Sequence, residues 1–75
     1  MEVLLQELKL VSDIAPTGSH VKVAEKNKIS TEYLYQIRNG KNMKLDTPEN
    51  RKTMESLIKS YRNEISKYQK KLNEL

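Results

Sequence analysis

From Pro48 onward the chain has no further Pro and no Gly. Its opening is a helix start at three successive positions: Thr47 as cap, Pro48 at the first helical position and Glu49 in the first turn. A helix of about 28 residues is about 42 Å long, whereas a compact domain of this size is roughly 30 Å across. The second half of that helix is therefore expected to project beyond the globule. Met54, Ile58, Tyr61, Ile65, Tyr68, Leu72 and Leu75 follow one another at alternating spacings of four and three, a heptad seam. We read Tyr61, Ile65, Tyr68, Leu72 and Leu75 as dimerisation residues, in a coiled coil or a looser antiparallel bundle. The first half of the seam, with Leu57 beside it, has the N-terminal helix as its alternative partner.

A seam of this kind matters because the chain is short. Its 75 residues make one domain, and a chain of that length buries only about 60% of its unfolded surface. There is no Cys, and the single His, His20, cannot assemble a metal site alone. Neither disulfides nor a metal or cofactor is expected, so oligomerisation is the remaining supplement, and a homodimer is the expectation. No basic leader precedes a long apolar run, so no signal peptide or membrane span is expected, and the protein reads as cytoplasmic and nucleoid-associated. One His, no Cys and no Gly-rich phosphate loop leave no nucleophile and base to pair, so an enzyme is not expected.

The rest of the chain reads as helical too, which makes the fold class all-α: a compact helix-turn-helix core over residues 1–46 and the long helix over 47–75. Leu4, Leu8 and Val11 give helical spacing over about 2–13, with Val3, Leu5, Leu10 and Ile14 widening the apolar arc. Alternation at Leu8, Leu10 and Ser12 is a weaker, strand-like pattern. Pro16 and Gly18 then break the chain, and Thr17 or Ser19 can cap a second helix over about 20–27. Asn27 and Lys28 form a turn, with Asn27 expected to end the helix because Asn tolerates left-handed backbone best after Gly. Ser30 caps a third helix over about 31–39, Glu32 complements its dipole, and Asn39 with Gly40 closes it. Val23, Ala24, Ile29, Leu34 and Ile37 can all face inward, while Thr31, Glu32, Tyr35, Gln36 and Asn39 fall on the opposite face of the third helix.

The net charge of +4 is unevenly spread. Residues 1–19 carry one Lys against three acids, residues 20–45 six Lys or Arg against two Glu, and residues 46–75 seven against five. The basic part is the pair of short helices, a distribution that suits a phosphate backbone as well as a solvated surface.

Residues 20–41 resemble the helix-turn-helix of the Cro and phage-repressor (Xre-like) family. The matching residues are Val23 and Ala24 in the second helix, Ile29 and Ser30 in the turn, Leu34 and Ile37 on the buried face, and the closing Asn39, Gly40 and Lys41. The match spans 22 of 75 residues, and it departs at Asn27 and Lys28, where the family usually has an apolar residue followed by Gly. The resemblance implies that the third helix enters the major groove of double-stranded DNA, with Thr31, Glu32, Tyr35 and Gln36 at base edges. Gln36 suits adenine, the Thr31 methyl suits thymine and Glu32 can accept from the cytosine amino group. It assigns phosphate contacts to His20 and the start of the second helix, to Asn39 and to Lys41, with Lys28, Arg38 and Lys44 as further electrostatic candidates. The expected function is sequence-specific DNA binding by a small homodimeric transcriptional regulator. The alternative is an interaction or adaptor protein, antitoxin-like or a phage assembly component, whose C-terminal helix binds a second protein. A membrane-surface role for that helix is set aside, because Glu55, Glu64 and Glu74 interrupt its basic face.

Overall fold

In the computed structural model, which describes residues 1–43 and 45–75, four helices follow one another. They are α1 (Glu2–Ile14), α2 (Ser19–Lys26), α3 (Thr31–Arg38) and α4 (Pro48–Asn73). No strand forms among the described residues, and the protein is all-α. The apolar spacing of residues 4, 8 and 11 prevails over the strand-like alternation at 8, 10 and 12. The core takes Leu8 and Val11 from α1, Val23 and Ala24 from α2, Leu34 and Ile37 from α3, and Met54, Leu57, Ile58 and Tyr61 from α4. The first half of α4 is the common support: α1 and α2 pack on it, and α3 sits against α2 and α1. Among the described residues no helix is long and apolar enough to cross a membrane.

This packing divides the heptad seam. Tyr61 is 0% exposed inside a single chain and so is not a free dimerisation residue, while Ile65 is half-buried against the same core and keeps only part of its surface for a partner. A spacing of four and three places side chains on one helix face but does not say whose surface covers that face, and here α1 and α2 cover its first half. Only Tyr68, Leu72 and Leu75 stay exposed. The 26 residues of α4 span about 39 Å, close to the 44 Å long axis of a molecule only 23 and 17 Å across in the other directions. The end of α4 therefore overhangs the globule.

The helix ends are set by local chemistry. Ser30 accepts from the backbone N–H of Tyr33 at 3.0 Å, and Thr47 accepts from that of Asn50 at 3.1 Å. Neither Thr17 nor Ser19 caps α2. Gly18 occupies the cap position at φ 89°, and the Ser19 hydroxyl instead donates back to the Pro16 carbonyl at 2.6 Å.

The turn between α2 and α3 corrects a second expectation. Asn27 does not take the left-handed position: its φ is −96°, and Lys28 takes that position at φ 58°. The Lys28 N–H donates to the Glu25 carbonyl at 3.1 Å and the Ile29 N–H to the Ala24 carbonyl at 3.0 Å. That bond pair closes a helix through one left-handed residue. Gly40 and Lys41 repeat it after α3, at 2.9 Å to Ile37 and 2.8 Å to Gln36, with Gly40 at φ 86°. Asn27 is committed elsewhere. Its Nδ2 donates to the Val23 carbonyl at 2.8 Å and to Ser60 Oγ at 3.0 Å, while its Oδ1 accepts from Ser56 Oγ at 2.6 Å. The amide pins the turn to α4, and the following residue absorbs the left-handed geometry. A non-Gly side chain there costs about 1–2 kcal/mol, part of which Gly would return through its greater freedom in the unfolded chain. Lys28→Gly is accordingly expected to stabilise the fold by about 1 kcal/mol in urea unfolding; a loss of stability would show that the Lys28 side chain contributes contacts outweighing its strain.

Candidate nucleic-acid interface

α3 is eight residues long, about 12 Å. Leu34 and Ile37 hold it to the core, which turns positions 32, 35 and 39 to the outside. Of the four residues assigned to base edges, Glu32 and Tyr35 are exposed and Thr31 and Gln36 are half-buried. Gln36 is held in place, since Asn42 Nδ2 donates to its Oε1 at 2.7 Å. That leaves the Gln36 amide hydrogens and the second lone pair of Oε1 for an outside partner. Asn42 had no part in the sequence reading. Its signal there is an Asn two residues beyond Gly40, a residue type suited to the left-handed φ of 71° it adopts.

Tyr35 is positioned by a relay of aromatic rings reaching from the core. Its ring centroid lies 5.3 Å from that of His20 at an interplanar angle of 53°, and the His20 ring stands 5.6 Å from Tyr61 at 75°. Nδ1 of His20 shares a 2.6 Å hydrogen bond with the Tyr61 hydroxyl. The hydroxyl donates when the imidazole is neutral and carries its proton on Nε2. His20 was assigned to phosphate; the fold takes one of its two ring nitrogens for this bond and leaves Nε2 for any outside contact. Burial pushes the Tyr61 hydroxyl up to about 12, with Tyr35 adding to the shift and Arg38 opposing it.

Arg38 is half-buried. Its Nε donates to Ser12 Oγ at 2.6 Å and its guanidinium pairs with Asp13, so it joins the end of α3 to the end of α1. Two of the five N–H donors of Arg38 are thus engaged within the chain, and its half-buried guanidinium has fewer left for the phosphate contact assigned to it. Ser12 and Asp13 lie 26 and 25 positions before Arg38, and nothing in their local pattern marks them as its partners.

The remaining phosphate candidates are placed differently. Lys28 and Lys41 are exposed, form no ion pair among the described residues, and stand on either side of α3, one before its N-terminus and one after its C-terminus. Asn39, at the end of α3, is exposed as well. Lys44 lies outside the described residues. The interface so assembled is a short helix with a polar outer face, one anchored tyrosine and a free cation at each end.

No family model matches this chain, and no curated protein or solved structure matches it either.

The raised Tyr61 ionisation has a thermodynamic consequence. The folded state holds the phenolic proton more tightly than the unfolded chain does, so this contribution is fully present below about pH 10 and is lost as pH rises towards about 12. Its size is on the order of 2–3 kcal/mol. A tyrosinate absorbance titration should show one late step that disappears in Tyr61→Phe, with stability declining across the same interval. A titration lacking that step would mean that the hydroxyl is not desolvated.

Proposed function

We propose that this protein binds double-stranded DNA sequence-specifically, as a small homodimeric transcriptional regulator with α3 in the major groove. The observation that carries this reading is the outer face of α3, with Glu32 and Tyr35 exposed and unpaired lysines, Lys28 and Lys41, at its two ends. The major groove is about 12 Å wide and admits a helix whose outward residues meet base edges. Lysines beyond each end of such a helix suit the backbones bordering the groove, which fix register without reading sequence. Gln36, oriented by Asn42, suits a bidentate pair with adenine N6 and N7. Tyr35, braced by His20, keeps its phenol ring outward at little cost in side-chain freedom. The likeness of residues 20–41 to the Cro and phage-repressor helix-turn-helix supports the same orientation.

One α3 offers four base-facing side chains, too few for high specificity. Two copies about 34 Å apart read two half-sites, and the exposed Tyr68, Leu72 and Leu75 supply the apolar surface for pairing. A second reading, an adaptor that binds another protein, draws on a separate observation. α1 leaves Val3, Leu10 and Ile14 exposed, at spacings that share one helix face.

Selection from a random duplex library at physiological salt is expected to enrich a partly palindromic sequence; absence of enrichment favours the adaptor reading. Gln36→Ala should relax preference at one base pair, costing about 1–3 kcal/mol there, while binding to random duplex stays nearly constant. Equal loss on all sequences would count against direct readout. Truncation after Ser66 spares Tyr61 and the core, and is expected to abolish the dimer and weaken DNA binding together. An intact dimer in that truncation places the pairing surface elsewhere, with α1 as the next candidate.

A further inference from the structure

Where α4 overhangs the globule it leaves a groove of about 750 Å³ against α2 and the loop at residues 15–17. Its charged walls are Lys22 from α2, Glu64, Lys67, Lys70 and Lys71 from α4, and Glu74 just after it. None of its four lysines was a phosphate candidate in the sequence, where the three of the long helix lie 45 to 49 residues from Lys22 and read as that helix's solvated face. The fold gathers them. Glu64, whose side chain is only 11% exposed, lies between two of them, with Lys22 Nζ at 3.8 Å from one carboxylate oxygen and Lys67 Nζ at 3.3 Å from the other. One carboxylate thus holds two ammonium groups at the groove while neutralising only one. Lys70 and Lys71 form no ion pair among the described residues, and the groove keeps a positive excess.

We infer that this groove is a second DNA contact, holding the phosphate backbone of the duplex whose major groove receives α3. The inference rests on the DNA-binding reading above and extends it to residues that reading does not use. Two observations favour a nucleic-acid strand as the occupant. The groove begins at the first turn of α2, where Ser19 lines it, and the neighbouring His20 carries the ring that braces Tyr35 on the outer face of α3. It is therefore continuous with the proposed interface. That first turn also has no side-chain cap, so the positive end of α2 adds to the field of the lysines. Tyr68 lines the groove and so is shared with the proposed pairing surface, whereas Leu72 and Leu75 are not among the groove walls and leave pairing through them compatible with an occupied groove.

The test compares three full-length proteins on one duplex over a range of salt: the natural chain, the double variant Lys70→Ala with Lys71→Ala, and Glu64→Gln. Each neutralised phosphate contributes about 0.9 to the slope of log affinity against log salt. The double variant should flatten the slope by about 2 per subunit and leave the preference for specific over random duplex unchanged. Glu64→Gln releases two lysines and should shift affinity the other way, with tighter binding and a steeper slope. Slopes equal to that of the natural chain in both variants, with its binding to DNA intact, overturn the groove while leaving the α3 reading in place. No duplex binding by the natural chain removes both. Unchanged duplex binding in the double variant, with loss of binding to a poly-glutamate peptide, assigns the groove to an acidic protein instead. Sedimentation guards against an indirect effect: if the double variant is monomeric where the natural chain is a dimer, the flattened slope belongs to dimerisation and the inference fails.

Discussion

A tyrosine with no exposed surface has to find a partner for its hydroxyl, because leaving that group unsatisfied costs about 1–3 kcal/mol. In this chain the partner of Tyr61 is Nδ1 of His20, which belongs to a different helix. The bond fixes the first turn of α2 against the middle of α4. It also stands the His20 ring where Tyr35 of α3 packs on it. Burial in the core, the seating of α2 and the presentation of an exposed aromatic side chain are thus consequences of one polar requirement. In a domain whose total stability is expected to be only about 4–11 kcal/mol, a requirement of that size constrains the arrangement of all three helices.

A second polar tie works in parallel. Asn27 bonds with Ser56 and Ser60 of α4, and the turn joining α2 to α3 is held by its side chain as well as by its backbone. Arg38, Ser12 and Asp13 then fasten the other end of α3 to α1. α3 makes little contact of its own with α4, so these links at its two ends matter for its orientation. Rigid placement is what the proposed role of α3 would require, since base-edge hydrogen bonds discriminate only when donor and acceptor geometry is maintained.

Dividing α4 into a buried half and an overhanging half has two effects. It removes Tyr61 from any interface between chains and takes up part of Ile65, and it creates the space beside α2 that the lysines of the tail surround. The exposed apolar residues Tyr68, Leu72 and Leu75 amount to about one heptad, shorter than the three or four that sustain a coiled coil by themselves. Pairing through this end therefore needs additional surface, and the exposed face of α1 is available for it.

Much of the architecture was legible in the residues alone, for local reasons. Caps at Ser30 and Thr47, the breaks at Pro16, Gly18 and Gly40, and apolar spacing along each segment act over a few residues, and they determine an all-α chain of three short helices and one long one. The inward positions of α2 and α3 follow from the same periodicity. What lay beyond that reach was every question of partner. Periodicity places Tyr61 on a helix face but cannot tell a neighbouring helix from a second chain. Arg38 reads as a free cation until α1 brings Asp13 beside it. Asn27 reads as a left-handed turn residue until α4 presents Ser56 and Ser60, and the lysines of the tail read as scattered charge until Lys22 faces them. Sequence determines the elements because their signals are short-range; only the tertiary structure decides which polar and charged groups are consumed in holding those elements together and which remain for something outside.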